Sequence, residues 1–248
     1  MESLAVSRES FASSAALSTA VARAVLMRVA AAALPPTFRL HRPRRILAFS
    51  KQDAASSGFA QAVQAARGAG FEPVIRLAGG RAAVYHEETL ALSWAVADSR
   101  PSARTEARFR ELAELLREAL GDLGVDAHVG EVPGEYCPGV WSVNARRATK
   151  LAGTGQRLIR GAAHRGAVIV VGGSDLVRYA LVPTYEALGL DWDPATAGSV
   201  QDEVRTATVD EAAKAILARL AERYELRDTD LDPETLALAE RLESDHAV

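Results

Sequence analysis

The sequence predicts an α+β fold in which a mixed, largely antiparallel sheet is flanked by helices. Short β-rich runs occur in clusters with helices between them, unlike the strict strand–helix alternation of a doubly wound fold. The clearest helix is predicted over 102–123, where one face is apolar and the other is charged. Its apolar stripe consists of Phe109, Leu112, Leu116, Leu120 and Leu123. A chain of 248 residues is long enough to bury one sizeable core.

The first helix is predicted within the Ala-rich segment 12–34, and it ends at Pro35-Pro36 because proline lacks the amide donor that a continuing helix needs. Arg23 and Arg28 interrupt this segment, so no apolar run reaches the roughly 18–20 residues of a membrane span. We expect a folded helix in a cytoplasmic protein without a membrane segment. Its buried face is predicted to carry Leu17, Val21, Val25 and Val29.

The rest of the chain alternates between β-rich and helical patterns. Residues 37–41 and 45–49 are predicted to pair as two strands separated by Pro43. Further strands are predicted over 73–77, 84–85, 90–96, 126–129, 140–144, 150–152 and 167–171. Further helices are predicted over 57–69, 176–188, 210–224 and 232–242. Residues 195–201 are predicted to be a surface loop.

Composition restricts the possible functions. The formal net charge of −3 provides no electrostatic basis for binding nucleic acid. A single cysteine excludes an intramolecular disulfide and is typical of a reducing compartment. The five histidines show no spacing typical of metal ligands, so we predict no metal site.

Two adjacent glycines, Gly79 and Gly80, follow a predicted strand. Without Cβ atoms they let the backbone approach a ligand closely, and Arg76 before them could hold a carboxylate or phosphate. The alternative interpretation is a hairpin turn. The segment is not a P-loop, because no Gly-Lys-Ser/Thr follows, and it lacks the third glycine of a dinucleotide-binding fingerprint.

Cys137 lies between Pro133-Gly134 and Pro138-Gly139, which predicts a tight loop. Such a cysteine is either a nucleophile, activated by a nearby cation, or a small buried apolar residue. Lys150 begins a predicted buried strand, where an unpaired ammonium is costly. Either a carbonyl or carboxylate contacts it, or the lysine lies at an exposed strand end.

In their order along the chain, these blocks resemble the lipoate–protein ligase and octanoyltransferase superfamily. The resemblance spans roughly residues 10–190 and is carried mainly by Tyr136-Cys137-Pro138-Gly139 and Lys150-Leu151-Ala152-Gly153-Thr154-Gly155-Gln156-Arg157. Within this superfamily, these two blocks are most similar to those of the octanoyl amidotransferases. The resemblance implies a fold of the biotin/lipoate protein ligase catalytic-domain type over 1–190. Residues 191–248 are then expected to form a carboxyl-terminal helical extension packed on the same domain.

The resemblance also implies roles for individual residues. Cys137 would be the acyl-thioester nucleophile, and Lys150 would hydrogen-bond the acyl carbonyl and stabilise its developing negative charge. The sequence departs from the family at Ala78, where serine is usual, and at Arg81, where the ligases carry a third glycine. The residues implied to form the acyl site are Arg76, Gly79, Gly80, Tyr85, His86, Gly153, Thr154 and Gln156.

The function implied is a protein acyltransferase of lipoate metabolism, which moves an octanoyl or lipoyl group onto a lysine of a lipoyl-domain protein through a Cys137 thioester. No cofactor is expected. The expected partners are the glycine cleavage H protein or E2 subunits of 2-oxoacid dehydrogenases, and the enzyme is expected to be monomeric. One alternative is an ATP- and magnesium-dependent lipoate–protein ligase that forms an acyl-adenylate. Another is a non-catalytic acyl or carrier-protein binder. The sequence leaves the acyl group, the donor and the acceptor open.

Overall fold

The computed structural model describes residues 1–11 and 13–248, so Ala12, the first residue of the predicted Ala-rich segment, lies outside the described residues. The strands are β1 (Glu2–Ser7), β2 (Thr37–His41), β3 (Ile46–Phe49), β4 (Glu72–Ile75), β5 (Ala83–Tyr85), β6 (Thr89–Ala97), β7 (Ala127–Val129), β8 (Val143–Ala145), β9 (Thr149–Ile159), β10 (Ala162–Val170) and β11 (Tyr224–Asp228). The helices are α1 (Ala15–Ala30), α2 (Lys51–Ala54), α3 (Phe59–Gly68), α4 (Thr105–Asp122), α5 (Ser174–Leu188), α6 (Val200–Glu203), α7 (Val209–Ala221) and α8 (Pro233–Leu242). Short 3-10 helices cover Pro101–Arg104, Pro194–Thr196 and Glu243–Asp245.

The strands form two sheets. The larger sheet has the order β11-β1-β2-β6-β10-β9-β8-β7, and the smaller has the order β4-β3-β5. In the larger sheet β1 pairs in parallel with both β2 and β11, whereas the remaining pairs are antiparallel. In the smaller sheet β3 pairs in parallel with β4 and antiparallel with β5. The predicted mixed, largely antiparallel sheet flanked by helices is confirmed.

The two faces of the larger sheet differ in side-chain size. On β6, Leu90, Leu92 and Trp94 share one face and pack with the apolar stripe of α4 and with α7. Because successive strand residues alternate between faces, Ala91 and Ser93 lie on the other face. The first face is therefore filled by large apolar side chains, while the small residues of the second leave space above them.

Helix α1 covers part of this second face. Val21, Val25 and Val29 are buried and Leu17 is half-buried, as their four-residue spacing predicts. This face of α1 belongs to a core that includes Ala95 of β6 and part of α8. Within the described ranges, no helix combines the length and apolar character required to cross a bilayer.

The predicted pairing of 37–41 with 45–49 is wrong. Strand β2 joins the larger sheet between β1 and β6, whereas β3 lies in the smaller sheet between β4 and β5. Residues 42–45 form no tight hairpin turn between the two strands, and the strands belong to different sheets. Each strand pairs with segments distant in sequence, and a local pattern does not specify such partners.

Two strands and one buried segment were not predicted. β1 and β11 lie together at one end of the larger sheet, and β11 carries charged, exposed residues that are typical of an edge. Residues 191–248 are therefore not helical throughout. The prediction of a surface loop over 195–201 is wrong, because Thr196–Val200 is buried and the Gly198 N–H donates to the carbonyl oxygen of Lys150 at 3.0 Å.

Candidate functional site

A cavity of about 440 Å³ lies between the second face of the larger sheet, the smaller sheet and α1. Its volume is in the range of small-molecule binding sites. Small residues on adjacent strands form its floor, because paired positions of neighbouring strands share a face. These floor residues are Gly153 and Gly155 on β9, Gly166 on β10, and Ala91 and Ser93 on β6.

The loop that carries Gly79 and Gly80 forms one wall of the cavity. This loop lies directly against the floor, since a Cβ at Gly155 would come within 2.9 Å of the Ala78 Cβ. Gly80 has φ +98°, in the region that favours glycine. Both predicted glycines therefore line the cavity, and the backbone conformation at position 80 also favours glycine.

Cys137 lies in the loop between β7 and β8 and lines the same cavity. Its φ of +45° is in the left-handed region, which is uncommon for a residue other than glycine. The Cys137 N–H donates to the Tyr185 hydroxyl at 2.9 Å, and that hydroxyl donates to the Ala82 carbonyl at 3.0 Å. A helix on the opposite side of the smaller sheet thus anchors the cysteine backbone.

Positive groups surround the Cys137 thiol. Its Sγ lies 3.1 Å from the backbone N of Arg81 and 3.5 Å from Nη2 of Arg76. Burial by itself raises the pKa of Cys137, but the charges of Arg76 and Lys150 and the hydrogen bonds outweigh burial, so the pKa lies below its usual value. A lowered pKa increases the fraction of thiolate, which is the nucleophilic form.

Lys150 is buried, and its ammonium makes three hydrogen bonds. Nζ lies 3.0 Å from Oε1 of Glu135, 2.9 Å from the Tyr136 carbonyl and 2.8 Å from the Cys137 carbonyl. An ammonium has three N–H donors, so all of them are used. Lys150 therefore holds the loop between β7 and β8 that carries Cys137, here called the cysteine loop. A hydrogen bond from Lys150 to an acyl carbonyl would have to replace one of these three hydrogen bonds.

Glu135 is a site residue that sequence reasoning missed. Its buried carboxylate accepts hydrogen bonds from the N–H groups of Val132 and Gly139 and from the Ser142 hydroxyl, in addition to its ion pair with Lys150. These hydrogen bonds join residues of the same loop to one another and so fix its conformation. The signal was present, because a buried lysine needs a carboxylate partner and Glu135 is the acidic residue nearest to Cys137 in the sequence.

The remaining predicted acyl-site residues do not all face the cavity in the same way. Tyr85 and Gly153 line it. Thr154 and Gln156 also line it, but the Thr154 hydroxyl donates to the Trp141 carbonyl and the Gln156 amide bonds to Thr105 and Arg108. Their polar groups thus support the surrounding loops and α4.

His86 lies apart from the other predicted site residues, which line the cavity. It is fully buried, it is absent from the cavity lining, and its ring lies beside Gly173 and near Glu88. The Glu88 N–H donates to its Nδ1 at 3.3 Å. His86 therefore has no contact with the space that an acyl group would occupy.

Comparison with known proteins agrees with this architecture. Residues 14–221 match the family described as the lipoyl protein ligase A/B catalytic domain. The chain belongs to this family. The expectation drawn from the Cys137 and Lys150 blocks is thereby confirmed at the level of the family.

Curated relatives of this lipoyl protein ligase A/B domain share part of its sequence. The octanoyl-GcvH:protein N-octanoyltransferase of Geobacillus kaustophilus is 28% identical over 129 residues, which are 52% of this chain and 45% of the relative. The protein of the same name from Anoxybacillus flavithermus is 27% identical over 183 residues, 69% of this chain and 64% of the relative. The chain thus spans less than two thirds of the length of these relatives.

Solved structures establish the fold of this family member. A bi-partite lipoate protein ligase from Thermoplasma acidophilum superposes with a TM-score of 0.76 at 17% identity, over 98% of this chain and 93% of that chain. A lipoate-protein ligase A bound with ATP gives a TM-score of 0.76 at 18% identity, over 98% and 95% of the two chains. The predicted biotin/lipoate ligase type of fold is confirmed.

Replacing Gly80 with alanine is expected to disturb the thiol site. The added Cβ would lie 2.3 Å from Nη2 of Arg76 and 2.8 Å from Sγ of Cys137, on a backbone with φ +98°. We expect a loss of about 1–3 kcal/mol in the free energy of unfolding, measured by chemical denaturation. We also expect a change in the rate at which the Cys137 thiol is alkylated. Gly79→Ala is the matched control, because its Cβ would meet nothing within 4 Å. Equal effects of the two substitutions would contradict this interpretation.

Proposed function

We propose that this protein transfers an octanoyl or lipoyl group from a donor carrier to a lysine of a lipoyl-domain protein through a thioester on Cys137. One observation supports the proposal most directly. The only thiol in the chain lines a cavity with a floor of small residues and lies 3.5 Å from the guanidinium of Arg76. A thiolate stabilised by a cation beside an acyl-sized cavity has the arrangement of a covalent catalyst.

In the first step, the Cys137 thiolate attacks the acyl carbonyl carbon of the donor. The new carbon–sulfur bond forms, the bond from the carbonyl carbon to the donor carrier breaks, and the departing group takes a proton from solvent. The Arg81 N–H and the Arg76 guanidinium lie within 3.5 Å of Sγ, so they stabilise the thiolate and are available as donors to the oxyanion that develops beside it.

In the second step, the neutral amine of the acceptor lysine attacks the thioester. The carbon–nitrogen bond forms, the carbon–sulfur bond breaks, and Cys137 leaves as a thiolate. The lysine nitrogen loses its extra proton to solvent. Because the thioester forms as the donor's acyl bond breaks, and itself breaks as the acceptor amide forms, this sequence uses neither ATP nor Mg²⁺, whereas a ligase would need both to form an acyl-adenylate.

The relatives support the choice of partners. Their name states that they take the octanoyl group from GcvH and transfer it to protein. We therefore propose that the donor is a glycine cleavage H protein and that the acceptor is the lipoyl domain of a 2-oxoacid dehydrogenase E2 subunit. The protein is expected to act as a monomer in the cytoplasm.

The test is intact-protein mass spectrometry after incubation with an octanoylated lipoyl-domain protein and no ATP. The wild-type protein is expected to gain an octanoyl adduct that hydroxylamine removes, and Cys137→Ala is expected to gain none. Acceptor octanoylation should disappear in the same variant.

Three outcomes separate the alternatives. An ATP-dependent ligase would show no adduct without ATP, and it would octanoylate the acceptor once octanoate, ATP and Mg²⁺ were added. A non-catalytic binder would retain carrier binding in Cys137→Ala and transfer no acyl group under either condition. An adduct that persists in Cys137→Ala would rule out the thioester.

A further inference from the structure

The floor of the cavity ends in polar side chains on its side away from Cys137. It crosses four adjacent strands in the order β9, β10, β6 and β2. At a strand spacing of about 4.8 Å, this path is roughly 14 Å long. Gly153 and Gly155 lie at the β9 end, near Lys150, whereas Arg39 and His41 occupy the same face at the β2 end.

Arg39 is a buried cation at this end. Its guanidinium donates to the carbonyls of Glu9 and Ser18 and to the Ser18 hydroxyl, all of them uncharged acceptors. No carboxylate lies within ion-pair distance of Arg39 in the described ranges 1–11 and 13–248. Burial lowers the pKa of Arg39 to about 9, although the charge of Glu9 opposes this shift, so the group is still a cation at neutral pH. A buried cation that lacks an anionic partner is costly.

Two histidines accompany this arginine in the cavity lining. Nε2 of His41 contacts the Ser18 hydroxyl at 3.3 Å, and Nε2 of His164 contacts the Ser93 hydroxyl at 2.9 Å. Both rings are more than nine-tenths buried, and the Nδ1 atom of each finds no hydrogen-bond partner among the residues that the structure describes. Register brings the group together, because Arg39 pairs with Ser93 across β2 and β6, and His164 lies two residues from Gly166, the partner of Ser93 on β10.

We propose that Arg39, His41, Ser93 and His164, here called the distal polar cluster, bind a carboxylate at the far end of the acyl chain. The acyl group would then be the monoacyl form of a medium-chain α,ω-dicarboxylic acid. This inference rests on the proposed acyl transfer through Cys137, and it changes the preferred acyl group from octanoyl or lipoyl to an ω-carboxyacyl group of similar length. A carboxylate would supply the anionic partner that Arg39 lacks and acceptors for the imidazole N–H groups.

Chain length is consistent with this assignment. An extended eight-carbon chain has seven carbon–carbon bonds of roughly 1.2 Å rise each, as in an extended backbone, and so spans about 8 Å. The carbon–sulfur bond to Cys137, one carboxylate carbon–oxygen bond and a hydrogen bond to the guanidinium together add roughly 5 Å, so the reach from Sγ to Arg39 is about 13 Å, close to the length of the floor. An apolar terminus of the same length would instead leave the cation and two imidazoles facing a methyl group, which is unfavourable.

The test compares two pantetheine thioesters with acyl chains of equal length, octanoyl and 7-carboxyheptanoyl. The rate at which each acylates Cys137 is followed by intact-protein mass spectrometry. We expect wild type to react at least about tenfold faster with the 7-carboxyheptanoyl thioester, because a site with buried polar groups discriminates against a ligand that leaves them unpaired. Arg39→Met is expected to remove most of this preference.

The matched control is Arg42→Met. Arg42 follows β2 directly, is exposed in an ion pair with Asp210, and does not line the cavity, so the preference should remain. A preference that survives Arg39→Met would overturn the assignment to the distal polar cluster.

The wild-type measurement decides the proposal even if Arg39→Met does not fold. Equal rates, or faster octanoyl transfer, would overturn the terminal carboxylate while leaving the proposed acyl transfer intact. Failure of both thioesters to acylate Cys137 would instead contradict the proposed function, and the inference would fall with it.

Discussion

Replacing Lys150 with methionine is expected to lower the free energy of unfolding by about 3–5 kcal/mol, because it leaves the Glu135 carboxylate buried without its cation. The two side chains are 1% and 0% exposed, so water cannot replace the lost partner. The substitution also removes the donors to the carbonyls of Tyr136 and Cys137. For a chain of this size the change in Tm should be a decrease of about 6–20 °C, measured by thermal unfolding.

Two further variants interpret this result. Lys214→Met removes an exposed lysine of α7 and should change stability by less than about 0.5 kcal/mol. The double variant Glu135→Met, Lys150→Met removes both charges, so it should be destabilised by less than the sum of the two single variants. Strict additivity would show that the ion pair is not coupled and would contradict this account of the cysteine loop.

Replacing Arg76 with methionine is expected to raise the pKa of Cys137 and to slow its alkylation at neutral pH. Burial raises the pKa of this thiol, and among the groups that lower the pKa the charge of Arg76 has the largest effect. An ion–ion interaction at about 4 Å is worth up to ~4 kcal/mol at an effective dielectric constant of 20, so we expect the rate at pH 7 to fall by about tenfold or more. The rate of iodoacetamide alkylation as a function of pH is the measurement, and its midpoint should move to higher pH.

Arg81→Met is the matched control for this profile. The Arg81 contact with Sγ is made by its backbone N–H, which the substitution retains, while its side chain pairs with Asp53 at 3.3 Å. The alkylation profile of Arg81→Met should therefore resemble that of wild type. A similar shift in both variants would indicate a general loss of loop structure rather than the loss of one charge, and unfolding curves would separate these cases.

Local patterns predicted most of the secondary structure. The stripe of α4 and the spacing of α1 specify which faces are buried, because helical periodicity is a property of neighbouring residues. Sheet membership was harder to predict. β2 and β3 have similar local patterns and yet lie in different sheets, since strand pairing depends on contacts between residues far apart in the sequence.

The candidate site shows the same division. Cys137, Lys150 and the glycine pair were predicted as one site, and the structure places them around one cavity. Glu135, Tyr185 and Arg39 were not predicted, because each acts through a partner brought close only by folding. His86 was implied by the resemblance, as part of the Val84-Tyr85-His86 block, but the chain turns after β5 and buries its ring away from the cavity.

The sequence by itself determined the fold class and the family, and it pointed to Cys137 as the proposed nucleophile, because these depend on periodicity and on short blocks of adjacent residues. Only the tertiary structure decided that Lys150 bonds to Glu135 and to the backbone carbonyls beside it, that Arg76 lies within hydrogen-bond distance of the thiol, and that the floor of the cavity ends at Arg39. These features depend on distances between side chains from separate strands and loops. Such distances are set by strand register and packing, which no local pattern contains.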